Sequence, residues 1–191
     1  MPIRKGKPSG RGRPGGRKTG RNDWEDHLTR RARAENYPAR SVYKLEEIQK
    51  KFRLLKAGNR VLDLGCAPGS WMLYAAKIVG DQGRVYGIDL KAVTIDLPAN
   101  ITAVKDDILR LEDPSFLQKS NGLDVVMSDM APATTGRRDV DALRSEALCE
   151  MALETARIHL RPGGHFICKI FQGNGFTRFQ KIVKTEFAQC R

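Results

Sequence analysis

Four stretches of this sequence carry residue types that do chemistry together: Asp63-Leu64-Gly65-Cys66-Ala67-Pro68-Gly69-Ser70-Trp71, the acid Asp89, Ser128-Asp129-Met130-Ala131-Pro132, and Lys169. The first has the glycines that let a backbone approach a bound nucleoside closely. It is neither common phosphate loop, because Gly65 and Gly69 stand four apart with Pro68 between them and no lysine follows. A ligand without a pyrophosphate is therefore expected. Asp89 comes 24 positions after Gly65, about where nucleotide folds set an acid on ribose hydroxyls. Lys105-Asp106-Asp107 brings further acids. A pocket with acids and no basic cradle suits a neutral or cationic nucleoside, and S-adenosylmethionine, a sulfonium without phosphate, fits that description.

These stretches need elements that bring them to one place. From residue 60 onward short apolar runs alternate with helical ones, which predicts a parallel sheet with crossover helices. Strands are expected at 60–64, 84–89, 101–104, 123–129 and 165–171, and helices at 71–79 and 140–160. The long helix should stop at Arg161-Pro162-Gly163-Gly164. A last helix carries Phe176, Phe179, Ile182, Val183 and Phe187 on one face. All four chemical stretches then fall at strand carboxyl ends, where doubly wound α/β folds bind their ligands.

Charge separates the chain into parts. Residues 1–60 hold 18 basic and 6 acidic side chains, whereas residues 61–191 hold 16 of each, so the first sixty carry the whole net charge of +12. Residues 1–22 have eight Lys/Arg, six Gly, three Pro and no acid; too little apolar surface is available to offset the entropy of ordering them. They read as a disordered basic tail that meets polyanions electrostatically. Residues 23–59 read as a basic helical segment, with a helix at 39–52 whose apolar positions are Val42, Leu45, Ile48 and Phe52. Arg40, Lys44 and Lys51 share another face of it, and Arg30, Arg31 and Arg33 lie just upstream; together they form a candidate phosphate-backbone contact. Residues 60–191 form the α/β core.

No apolar run approaches the roughly 18 residues of a membrane span, and no secretory signal is evident, so a cytoplasmic protein is expected. Cys66, Cys149, Cys168 and Cys190 lack zinc or paired-cysteine spacing with each other or with His27, His159 and His165. Neither disulfides nor a metal is expected, and His159 and His165 read as structural.

The motifs Ser41-Val42-Tyr43-Lys44-Leu45, 63–71, 128–132 and Lys169-Ile170-Phe171-Gln172-Gly173 resemble the FtsJ family of ribosomal RNA 2′-O-ribose methyltransferases, over about residues 26–187. The resemblance implies a Rossmann-like, class I S-adenosylmethionine-dependent fold with a doubly wound, mostly parallel sheet. It implies that Gly69, Trp71, Asp89 and Asp107 bind the cofactor, with Asp63, Gly65 and Asp129 in the same pocket. Lys44, Asp129 and Lys169 fall on the family's Lys-Asp-Lys-Glu catalytic set. The implied partner is ribosomal RNA, a uridine ribose within the large subunit, and the implied state is a monomer. Family members continue past the last helix with two strands and the final glutamate, while this sequence ends at Arg191. The C-terminal strands are thus expected to be missing, the Lys169 strand to lie at a sheet edge, and turnover to be weak.

Residue chemistry bears on the same assignment. Transfer from a sulfonium to a ribose hydroxyl is an in-line displacement that needs alignment and a destination for the hydroxyl proton. Lys169 is the candidate; a free lysine has a pKa of about 10.4, so acting as a base requires burial or a neighbouring cation, for which Lys44 is placed. Removing the proton and steering the hydroxyl both remain open to it. Carbon-5 pyrimidine methylation needs a cysteine nucleophile, and the cysteines here read as small core residues. The segment 128–132 lacks the Asn/Asp-Pro-Pro pattern of exocyclic-amine methylases. A silent RNA-binding assembly factor and a transfer RNA ribose methyltransferase are the alternatives, with an NAD enzyme third.

Overall fold

The computed structural model describes residues 20–108 and 122–191. Runs of β-branched and apolar residues form five strands: β1 (Arg60–Leu64), β2 (Arg84–Asp89), β3 (Ile101–Lys105), β4 (Leu123–Ser128) and β5 (Leu160–Cys168). They make one sheet in the order β3-β2-β1-β4-β5, with every neighbouring pair parallel. Such a sheet must be covered on both faces. Residue alternation does this: Val61, Val85, Val125 and Met127 face α3 (Ser70–Val79), while Leu62, Leu64, Ile88 and Val126 face Ala152 and Ala156 of α4 (Arg138–His159). The small alanines let the long helix lie close to the strands.

Before the sheet come α1 (Gly20–Ala34) and α2 (Val42–Phe52). The basic tail at residues 1–19 lies outside the described residues, and α1 begins within the stretch expected to be disordered. Within the helical segment expected from residue 23, the spacing bounds a helix only at 39–52; α1 is a further helix in it, strongly polar, with Ala32 and Leu28 packing with Tyr37, Val42 and Tyr43 against Leu73 and Tyr74 of α3. The helix expected from residue 39 starts at Val42, because the turn after Pro38 spends the Ala39 N–H on the Ser70 hydroxyl, 2.8 Å away.

Two corrections concern strand ends. β4 stops at Ser128 and β5 at Cys168, so Asp129 and Lys169 each lie one residue beyond the ladder. α4 stops at His159, next to the expected 160, and the stretch 161–164 already belongs to β5, which was expected from 165 and instead starts by pairing Leu160 with Leu123 across a register shift. Pro162 is tolerated there because β5 is an outer strand, and Gly163 takes a φ of +79°. α5 (Phe176–Glu186) packs Phe179 onto Cys149 and Leu153 of α4. Among the described residues, no helix is long and apolar enough to cross a membrane.

Candidate active site

Strand order reverses between β1 and β4, which opens a crevice at their carboxyl ends. The glycine turn fills its floor. Gly65 and Gly69 adopt φ of +76° and +112°, values that strain any side-chain-bearing residue. A Cβ on Gly65 would run into Met130, and one on Gly69 would sit 2.9 Å from Ile95 Cδ1. The turn is therefore wedged between the loops after β4 and β2. Asp89 fastens it: the Ala67 N–H donates to Oδ2 at 2.9 Å and the Lys91 N–H to Oδ1 at 2.8 Å. Each oxygen keeps a second lone pair for a ligand hydroxyl.

Asp63 lies beneath this turn at 1% exposure, and neither of its carboxylate oxygens has a hydrogen-bond partner among the described residues. Burial first, then Asp129 and Asp89, push its pKa well above the ordinary carboxylate value. Three acids around one crevice, one of them with both oxygens buried and unpartnered, suit a ligand that is cationic where it meets them. The donor set thus fits a sulfonium nucleoside, with Asp63, Gly65, Gly69 and Asp89 around it. Asp107 lies two residues past β3, its N–H on the Asp106 carboxylate at 2.7 Å.

The catalytic candidates meet at Asp129. The Lys169 ammonium is 2.9 Å from Asp129 Oδ1 and donates an aligned hydrogen bond to the Asp129 carbonyl oxygen at 2.6 Å. Lys44 Nζ approaches the same Oδ1 at 3.6 Å. Lys169 and Asp129 are mostly buried, at 22% and 18% side-chain exposure, whereas Lys44 is 57% exposed. Asp129 thereby joins an interior amine to one at the rim. Cys66 is buried in the glycine turn, and desolvation, followed by Asp63 and Asp89, pushes its thiol upward; it is held as the protonated thiol, unsuited to nucleophilic attack.

Trp71, expected to bind the cofactor, has its side chain turned into the core. Its ring is 4% exposed within the main core, and its indole N–H donates to the Ser41 carbonyl at 2.9 Å. With the Ser70 hydroxyl accepting from Ala39, it locks the start of α2 onto the start of α3, which sets Lys44 over Asp129. Ser70 was missed by sequence reasoning, its signal being a hydroxyl at the first turn of a helix.

The six cations expected to contact RNA are not equivalent. Arg31 is paired with Glu35 at 2.7 Å and Glu46 at 3.6 Å and lies over the Tyr43 ring. Arg40 pairs with Glu25 at 3.3 Å, and Lys44 faces Asp129. Arg30, Arg33 and Lys51 are exposed; Arg30 and Arg33 line a shallow concavity with Asp26 and Thr29, and Lys51 sits 5.1 Å from the Phe52 ring.

Comparison with known proteins agrees with this geometry. The family model described as FtsJ-like methyltransferase matches residues 37–191. Ribosomal RNA large subunit methyltransferase E of Desulforapulum autotrophicum is 56% identical over 167 residues, covering 87% of this chain and 82% of that protein. A ribosomal RNA methyltransferase structure from Plasmodium falciparum superposes with a TM-score of 0.74 at 25% identity, over 81% of this chain and 90% of its own. Fibrillarin from Aeropyrum pernix, solved with natively bound S-adenosylmethionine, shares the fold at a TM-score of 0.51 and 22% identity, over 69% of this chain and 57% of its own. With a methyltransferase model spanning the sheet, the glycine turn and the two lysines that meet at Asp129, this chain belongs to the FtsJ-like methyltransferase family.

Proposed function

We propose that the protein transfers a methyl group from S-adenosylmethionine to a ribose 2′-hydroxyl of large-subunit ribosomal RNA, a uridine of the 23S species. The observation that carries this reading is the convergence of Lys169 and Lys44 on Asp129 beside a glycine turn that overlies the buried, unpartnered carboxyl of Asp63. The name of the 56% identical relative, a ribosomal RNA large subunit methyltransferase, supports the choice of RNA. No observation favours a silent assembly factor or a transfer RNA substrate.

S-adenosylmethionine, when bound, supplies a methyl group activated by a sulfonium. Gly65 and Gly69 let the backbone approach it, Asp89 and Asp107 take its hydroxyls and polar edges, Asp129 supplies negative charge, and Asp63 lies buried beneath the turn. Lys169, fixed through both the carboxylate and the carbonyl of Asp129, keeps a further ammonium N–H for the substrate. It steers the 2′-hydroxyl into line with the methyl carbon, and the hydroxyl proton is given up to solvent as the new bond forms. Lys44, at the exposed rim, meets the adjacent phosphate and shares the charge of Asp129. Arg30, Arg33 and Lys51 extend the cationic track along the backbone.

Tritiated methyl donor, offered with unmodified large subunits and with their deproteinised RNA, tests this. Label is expected in alkali-resistant dinucleotides, and Lys169→Ala is expected to lower kcat by about a hundred- to ten-thousand-fold with cofactor Kd within about twofold. Label in a base, or a variant as fast as the parent, contradicts the reading.

A further inference from the structure

Lys169 stands where the sheet stops guiding the chain. Its N–H makes a last bond to the Ser128 carbonyl at 2.9 Å, and among the described residues β5 pairs with β4 alone. What holds the backbone beyond it is α4. The Cys149 thiol donates to the Lys169 carbonyl at 3.1 Å, and the Phe171 N–H donates to the Ser145 hydroxyl oxygen at 3.0 Å. Ser145 and Cys149 are one helical turn apart and 0% and 3% exposed.

The contact continues along the same helix face. A Cβ on Gly173 would strike Ala142, and one on Gly175 would strike the Glu146 carboxylate, so 169–175 lies directly on α4. Glu146, 8% exposed, then holds Arg178 of α5 at 2.8 Å. An interior helix face ordinarily needs only apolar residues. Here it carries Ser145 and Glu146 among Ala142, Cys149, Ala152 and Ala156, and each polar group takes up a partner in or just after the segment that follows Lys169.

We propose that Ser145 is a positioning residue for methyl transfer: by accepting the Phe171 N–H it fixes the backbone that aims Lys169 at Asp129. The inference rests on the role given to Lys169 above. Binding of cofactor involves the glycine turn and the strand ends on the other side of the crevice, so Ser145 acts on the rate and not on cofactor affinity. With the acceptor gone, the part-buried Phe171 N–H loses its protein partner and the loop relaxes away from α4, which misplaces the amine by a fraction of an ångström or more.

The test uses the full chain with Ser145→Ala, which removes the acceptor, and Ser145→Cys, which keeps nearly the same volume with a weaker one. Ser145→Ala is expected to lower kcat about tenfold, and Ser145→Cys about threefold, with cofactor Kd by calorimetry and KM for RNA within about twofold. Amide exchange at Phe171 should accelerate in the same order. Three results would overturn the proposal: folded Ser145→Ala with unchanged kcat, a rate loss matched by an equal loss of cofactor affinity, or Ser145→Cys no faster than Ser145→Ala. Should Ser145→Ala not fold, Ser145→Cys against the parent decides by the same kcat and Kd comparison. Lys169→Ala run beside them separates the two readings. Full activity in that variant refutes the role of Lys169 and this inference with it, whereas its inactivity alongside an unaffected Ser145→Ala refutes this inference alone.

Discussion

Asp63 shows how much a single buried carboxyl sets the character of the site. Its oxygens have no partner among the described residues, and two further aspartates lie near it. Because burial raises its pKa in the folded state, the folded chain holds a proton that the unfolded chain releases at about pH 3.9. Its contribution is therefore most favourable below that pH and is lost as pH rises toward the folded-state value. Asp63→Asn, which cannot ionise, is expected to raise the melting temperature of the cofactor-free protein more at pH 8 than at pH 4. Equal shifts at both pH values in a thermal scan would show that Asp63 ionises freely. A cation bound in the crevice works against the same penalty, so the residue that destabilises the empty site suits it to its ligand.

Elements decide which of the basic residues are available. On α1, Arg31 is drawn into Glu35, Glu46 and the Tyr43 ring, while Arg30 and Arg33 stay exposed at the concavity that they line. The double variant Arg30→Ala/Arg33→Ala is expected to flatten the plot of log RNA affinity against log salt by about 1 to 2, with Arg31→Ala flattening it by less than half as much per residue. Filter binding between low and physiological salt reads this directly. The sequence showed six cations and their order but not their partners, because Glu46 reaches Arg31 only when α2 folds back against α1. The same folding carries Lys44 to Asp129, 85 residues later in the chain, through the Trp71 bond to Ser41 and the Ser70 bond to Ala39.

Across the whole molecule, charge and chemistry are kept apart: the first sixty residues carry the net +12, and the sheet carries the acids of the crevice. Seven Lys/Arg lie in residues 1–19, so deleting them is expected to weaken RNA binding at physiological salt and make its salt dependence shallower. Cofactor Kd, measured by calorimetry without RNA, should be unchanged; a shift there would mean the basic arm reaches the crevice. The sequence by itself determined the alternation of strands and helices, the glycine turn and the strand-end acids, since these follow from local periodicity and from backbone demands that only glycine meets. It placed Asp129 within one residue of the end of β4, whereas the strand expected at 165–171 runs over 160–168 and leaves Lys169 just past it, because a parallel strand is legible as an apolar run but its bounds depend on the strand it pairs with. Only the tertiary structure decided that Trp71 is a core strut, that β5 begins at Leu160, and that a serine inside α4 holds the segment after Lys169. Each of those depends on a partner remote in sequence, and a hydrogen bond between distant residues leaves no periodic trace in the chain that makes it.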